Sequence, residues 1–468
     1  MKSMTKSTNW ANSQRKLRHQ LMTRWQGSHT WRTSTEPVRD AAEECGKLVA
    51  LDFQTHWQVS RNSPEGPIDV IDMFSGCGGM SAGFRAVNSL FPAFRQLLGV
   101  DLDPVANASY ELNFGRTPVY EDVSAFVRSP RRLSEIVRIA GGRRDGPLVL
   151  IGCAPCQGFS SHRNQAGEQD FRNSLFKDFA TVASLLQPDA VVIENVPELL
   201  TERYWPFVTT IRRILESNDY KVHVSVHNMA EFGVPQERFR ALVLAFKRKF
   251  RPARGFLDRS AFRTVRQAIG KLPEIKAGER DPNDPLHYTA AHHASTLRTI
   301  QAVPPDGGNR PPHIGPQCLQ RIAIKQGKAG YEDVYGRLYW DRPAITITAY
   351  ARNPASGRFV HPKQHRGLSI REAASLQGFP SGYTFAGSLD QAFRQIGNAV
   401  PPPFSAYLAS LILGELLAPS EFQGEVEPDV REPIARSFSR LIPSLKSRAH
   451  VAHEKAKRRL WDIATTSE

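Results

Sequence analysis

Between residues 68 and 246 the apolar positions gather into short runs separated by longer stretches of helical period. IDVIDMF (68–74), LVLIG (148–152) and AVVIEN (190–195) read as strands, and RQLLGVDLD (95–103) as a strand with its turn. SAGFRAVNSLF (81–91) and NSLFKDFATVASLLQ (173–187) instead place apolar residues three and four apart, the spacing of an amphipathic helix. Strand and helix patterns in alternation predict a doubly wound α/β sheet. Ligands of such sheets lie beyond the carboxyl ends of the strands. The chemically unusual residues fall at those ends: SGCGG, DLD, CAPCQ and ENVPE each follow or close a strand.

Past Phe246 the periodicity breaks down into a stretch rich in Pro, Gly, His and Arg that includes VPPDGGNRPPHIGP (303–316). Strand-like RPAITITA (342–349) follows, LSIREAASLQGFP (368–380) is again helical, and QIGNAVPPPFSAYLASLILGELL (395–417) ends in an apolar helix able to rejoin the sheet. The expected organisation is a basic extension at 1–66, a sheet domain at 67–246 and a smaller irregular domain at 247–363. The chain then returns to the first domain at 364–417 and ends in a basic tail at 418–468. The bases that open the first segment read as a solvated, partly helical arm; with Trp10, Trp25 and Trp31 among them, the sharper reading is an arm that adds DNA contacts.

A formal charge of +15 points to a polyanionic partner, nucleic acid before an anionic membrane. No uninterrupted apolar stretch approaches the roughly 20 residues of a membrane span, and MKSMTKSTNWANSQRK lacks the apolar region of a secretory signal. The expectation is a cytoplasmic protein that does not engage a membrane. The five scattered cysteines fit a reducing compartment.

DMFSGCGGMSAG (72–83) has the strand, glycine and helix order of a nucleotide-type site, with Ser81 where a dinucleotide fold would place its third glycine. Asp101, closing the next strand, stands where a ribose-binding carboxylate is expected. A ribose without a required diphosphate describes S-adenosylmethionine. Cys153 and Cys156 form a C-x-x-C pair that reads as a redox dithiol, half a zinc site, or one nucleophile beside a packing cysteine. Zinc needs about four ligands, and no second pair exists, so no metal is expected. A nucleophile that adds to a planar heterocycle, assisted by a nearby carboxyl, accounts for Cys156 and Glu194 together. In QERFRALVLAF (236–246), Gln236, Arg238 and Arg240 alternate onto one face of a predicted strand, where guanidinium groups suit a phosphate or a base oxygen.

In this order DMFSGCGG, GVDLDP, APCQGFS, IENVPE, QERFR, RPAITITA and QIGNAVPP resemble the motif set of the C5-cytosine DNA methyltransferases, over roughly residues 67–416. The resemblance implies an S-adenosylmethionine-dependent, Rossmann-like methyltransferase sheet with a target-recognition domain. It implies methyl transfer to C5 of a cytosine flipped out of double-stranded DNA. By resemblance Cys156 attacks C6, Glu194 contacts N3 and the exocyclic amine, and Arg240 contacts the base oxygen with Arg238 supporting the site. Cofactor contacts would come from Phe74, Gly76, Cys77, Gly78, Gly79, Asp101, Leu102, Asp122, Leu175 and Asn398. Two departures stand out: Asp101 where many relatives carry Glu, and Leu102 in place of a large aromatic. The resemblance also implies a monomer of a restriction-modification system or an orphan enzyme, whose cognate endonuclease forms no stable complex with it. An RNA cytosine methyltransferase, an inactive DNA-binding regulator and a redox protein are the competing readings. The long 247–363 segment favours DNA over RNA, because a sequence reader needs its own module.

Overall fold

The computed structural model describes residues 36–155, 167–326, 331, 333–426, 428–436 and 441. Helices α1 (Glu36–Leu51) and α2 (Phe53–Ser60) precede the first strand, β1 (Ile68–Met73). There follow α3 (Gly79–Val87), β2 (Phe94–Val100), α4 (Pro104–Phe114), β3 (Leu148–Gly152), α5 (Gly167–Leu186) and β4 (Ala190–Asn195). Then come α6 (Trp205–Glu216), β5 (Lys221–Asn228), β6 (Gln236–Glu237) and β7 (Phe239–Phe246). After an irregular region with a two-residue strand β8 (Ala344–Ile345), the chain ends its core in α7 (Ile370–Gln377), α8 (Leu389–Asn398) and α9 (Pro402–Leu417).

The central sheet has the order β2-β1-β3-β4-β7-β5. Its first four strands are parallel, whereas β7 runs antiparallel to both β4 and β5. Side chains two apart share a face of a strand, and here the two faces feed two separate cores. Val70, Val149, Ile151 and Val192 pack with Met80 and Phe84 of α3 and with Phe404, Leu408 and Ile412 of α9. Their neighbours Ile71, Leu148, Leu150, Val191 and Ile193 pack on the other side with Phe176 and Phe179 of α5 and Ile211 and Leu215 of α6. Because both faces are covered, the strands read as apolar runs rather than as alternating patterns. The run Leu389–Leu417 holds an apolar 18-residue window that is long enough by composition to cross a membrane, but 94% of that window is buried inside the protein.

Two expectations change. The solvated reading of the N-terminal arm does not hold for its described part: Val38, Ala42, Cys45, Val49, Phe53 and Trp57 of α1 and α2 are buried, and Arg39 pairs with Glu415 of α9 at 2.7 Å with both side chains 1% exposed. Trp10, Trp25 and Trp31 lie outside the described residues. RPAITITA contributes only the two residues of β8, which pairs with β6.

The irregular region is held largely by arginines that grip main-chain carbonyls. Arg337, fully buried, donates to the carbonyls of Ile300, Val303, His361 and Gln364. Arg358 donates to those of Gly307 and Arg337 and pairs with Asp333 at 2.9 Å. A planar guanidinium with five donors can satisfy several loop carbonyls at once, which supplements the small apolar cluster of Ile300, Val303, Tyr335 and Val360. Arg366 makes a two-pronged pair with Glu372 of α7, both bonds 2.7 Å, while Ser369 and Glu372 form a capping box. Burial alone would raise the Glu372 carboxyl, but the Arg366 bonds and charge, with help from His361 and the Ser369 amide, hold it down at about 2. Replacing Glu372 by Gln leaves Arg366 buried and unpaired, and should cost about 3–5 kcal/mol at pH 7 by denaturant titration. Stability from a depressed carboxyl is present above its ordinary 4.5 and lost as pH falls through about 2. The difference between parent and variant should therefore shrink across that window, and equal stability at pH 7 would contradict the assignment.

Candidate active site

Parallel register lines up Met73, Val100, Gly152 and Ile193 in one row across β1, β2, β3 and β4. The next residue on each strand, Phe74, Asp101, Cys153 and Glu194, lines a cavity of about 530 Å³. That volume lies within the roughly 300–1,000 Å³ of small-molecule sites.

One end of the cavity is the glycine loop. Phe74, Gly76 and Gly78 all have positive φ, at 62°, 52° and 89°, so the loop reverses tightly into the N-terminus of α3. A side chain on Gly76 would meet nothing within 4 Å, so the main chain there is bare to the cavity. The Asp101 carboxylate ties the loop to β2, accepting from the amides of Gly76 and Asp103, each at 2.8 Å. Burial raises its acid strength threshold above the ordinary value, against those amide bonds. Asp72, deeper in the wall, accepts from the Ser81 hydroxyl at 2.7 Å, and burial pushes its carboxyl up to about 7, with the neighbouring Asp101 charge adding to the shift. Leu102 lines the mouth and is 51% exposed.

The other end gathers Cys153, Glu194 and Arg240. Glu194, 2% exposed, has one oxygen 2.8 Å from the Cys153 thiol and the other 3.1 Å from Nε of Arg240. Asn195 fastens the neighbouring loop, its amide donating to the Ala154 carbonyl at 2.9 Å. Pro155 lines the cavity and Cys156 follows it, outside the described residues.

The three residues expected on one face of a strand separate into different jobs. Arg240 faces the carboxylate. Arg238 lies between β6 and β7 and donates to the carbonyls of Ile347 and Gly397 at 3.0 and 2.9 Å. It thereby fixes the turn whose residues Gly397, Asn398, Ala399 and Val400 close the cavity. Gln236 is fully buried and bonds Leu376 and Ile347.

Of the residues expected around a cofactor, Phe74, Gly76, Cys77, Gly79, Asp101, Leu102 and Asn398 line the cavity. Gly78, Asp122 and Leu175 are not among its lining residues. Gly78 turns its α-carbon toward Phe114, Tyr110 and Tyr383, and Asp122 caps a short helix through the Ser124 amide. Sequence reasoning missed Asp72, Cys153, Arg394 and Gln395 as lining residues. Asp72 carried a signal, an acid within an apolar strand, and Cys153 was set aside as packing.

A family model described as C-5 cytosine-specific DNA methylase matches residues 68–413. The chain belongs to that family. Like the family, it is a DNA cytosine-5 methyltransferase, and its reaction is S-adenosylmethionine-dependent. The methylase is 33% identical over 359 residues to the Type II methylase M.HgiDII of Herpetosiphon aurantiacus, covering 73% of this chain and 94% of that one. It is 32% identical to the Type II methyltransferase M1.HphI of Haemophilus parahaemolyticus, covering 73% and 86%. A crystal structure described as a prophage-encoded DNA modification methyltransferase of E. coli shares the fold with a TM-score of 0.56 at 24% identity, covering 75% of this chain and 99% of that one.

Within the methylase's glycine loop, geometry separates two neighbours. A Cβ at Gly78 would stand 2.4 Å from the Phe114 ring and 3.0 Å from Tyr110 and Tyr383. Gly78→Val should therefore destabilise the protein by about 3 kcal/mol or more, from overpacking and a left-handed backbone together. Gly76→Ala bears only the backbone cost of about 1 kcal/mol. Denaturant midpoints that place the two variants level would contradict this orientation of the loop.

Proposed function

We propose that the cavity holds S-adenosylmethionine at its glycine end and a flipped cytosine at its Glu194 end, with Cys156 as the nucleophile. The observation that carries this reading is that the bare Gly76 main chain with Asp101 and the Cys153–Glu194–Arg240 cluster share one cavity. The residues fit the cofactor. Asp101 keeps lone pairs free for ribose hydroxyls after accepting its two amides, and exposed Leu102 offers an apolar face to the adenine.

S-adenosylmethionine supplies an electrophilic methyl on a positively charged sulfur. C5 of cytosine is a poor nucleophile because the ring is aromatic. On this reading the Cys156 thiolate bonds to C6, and the displaced electron pair makes C5 able to take the methyl. Glu194 hydrogen-bonds N3 and the exocyclic amine, which favours charge developing in the ring. Arg240 holds the carboxylate and reaches the base oxygen. Loss of the C5 proton then lets the C5–C6 double bond reform as the Cys156 thiolate leaves.

DNA reading is assigned to residues 247–363, as a target-recognition domain. Its basic residues divide by exposure: Arg310, Arg337 and Arg358 are buried as clamps, whereas the Arg259 side chain is 82% exposed, Lys363 67% and Arg266 53%, each at the surface beside a carboxylate, Glu237, Glu274 and Asp341, for which a phosphate can compete. Relatives named as Type II methyltransferases support a restriction-modification setting with a companion endonuclease.

A duplex carrying 5-fluorocytosine at the cognate site tests the mechanism, because the fluorine cannot leave as the proton does. A denaturation-resistant protein–DNA adduct should accumulate only with S-adenosylmethionine present. Cys156→Ser should abolish it, since a hydroxyl gives almost no anion near neutral pH. Glu194→Gln should slow it by about 10²–10⁴-fold. Cys153→Ala should slow it less while leaving the attachment at Cys156. An adduct mapped to Cys153, or none with cofactor and cognate site both bound, would overturn the mechanism.

A further inference from the structure

Trp57 lies on α2, before the first residue matched by the family model, and is 1% exposed. Its ring packs edge-on against Phe114 at 5.7 Å and tilted against Tyr383 at 5.3 Å. Arg85 of α3 lies over both the Trp57 and Phe114 rings, at 5.9 and 5.7 Å, and donates to the carbonyl of Arg61 at the end of α2. These three partners all bear on the cofactor end of the cavity. The Tyr383 hydroxyl donates to the Cys77 carbonyl inside the glycine loop. Phe114 closes α4, the helix that starts beside Asp103, and its ring stands where a side chain on Gly78 would go. Arg85 belongs to the helix that the loop opens.

We propose that Trp57 is a positioning residue for the cofactor loop: the N-terminal helix pair braces Cys77 and Gly78 from behind, through Tyr383 and Phe114. The physical reason is steric. Phe74 holds a positive φ that its side chain disfavours, and Gly76 and Gly78 leave the main chain beside it free to take other conformations, so the loop keeps its shape only when its surroundings over-determine it. The aromatic wedge blocks the space into which the loop would relax. The attachment of the wedge is permanent rather than a docking arm, because α1 is fixed to α9 by the buried Arg39–Glu415 pair and the Gln54 side chain accepts from the Ser381 amide.

The inference rests on the cavity holding S-adenosylmethionine, so calorimetry on the parent protein comes first; a parent that binds no S-adenosylmethionine removes that reading and this one with it. Given parental binding, Trp57→Ala should raise Kd and KM for S-adenosylmethionine by between about threefold and thirtyfold, the range of coupling through packed side chains. Its kcat at saturating cofactor and its KM for DNA should stay within about twofold of the parent. Trp57→Phe should restore most of the affinity. Cys45→Ala, a cavity made in α1 away from the wedge, should lower stability without raising Kd. A folded Trp57→Ala protein with parental Kd would overturn the proposal, as would a Cys45→Ala protein that loses affinity equally. Should Trp57→Ala fail to fold, Tyr383→Phe decides: it removes only the bond to Cys77, and an unchanged Kd would overturn the proposal.

Discussion

A carboxylate taken almost wholly out of water at the end of β4 is the constraint on which this structure turns. Burying an unpaired charge costs several kcal/mol, so Glu194 requires partners, and it has them in the Cys153 thiol, which donates to one oxygen, and the Arg240 guanidinium, which forms an ion pair with the other. Topology delivers the second partner. Because β7 runs antiparallel beside β4, pairing Leu242 with Glu194 and Ala241 with Asn195, its first residues lie where the last residues of β4 lie. A parallel strand in that place would carry Q-x-R-x-R to the opposite end of the strands, away from the carboxyl end of β4. The one reversed strand is thus what joins the arginine motif to the ENV motif, and parallel β3 supplies the cysteine from the other side.

The same economy governs the rest of the cavity. Each strand contributes the residue just beyond its last aligned position, so a single register fixes Phe74, Asp101, Cys153 and Glu194 together. Asp101 spends two acceptor sites on loop amides, and Arg238 spends its guanidinium on the turn that closes the opposite wall. Charged groups near the site therefore do two kinds of work. Some shape main chain, and some face the space where substrate would lie.

Much of this was legible in the sequence because β1, β2, β3 and β4 are buried on both faces and announce themselves as apolar runs ending in unusual chemistry. What was hidden has physical reasons. Strand direction leaves no mark on composition, so the reversal of β7 could not be read. The face shared by Gln236, Arg238 and Arg240 assumed one continuous strand, whereas Arg238 sits between β6 and β7. The helices α1 and α2 looked solvated because the basic run that precedes Glu36 set the reading for the whole segment, yet Arg39 and Trp57 are deeply buried. In the 247–363 region the broken periodicity hid how the segment closes: several of its arginines are buried and satisfy loop carbonyls beside small apolar clusters. Cys153 looked like packing because a thiol's bond to a carboxylate depends on a neighbouring strand.

The central claim is that one cavity unites cofactor and base. A crystal structure of the protein with S-adenosylhomocysteine and a duplex trapped through 5-fluorocytosine measures it directly. The account predicts the nucleoside between the glycine loop and Asp101, the extruded ring bonded to Cys156, and its N3 edge on Glu194. A nucleoside bound away from Gly76 and Asp101, or a trapped base that leaves Glu194 paired only with Cys153 and Arg240, would contradict it.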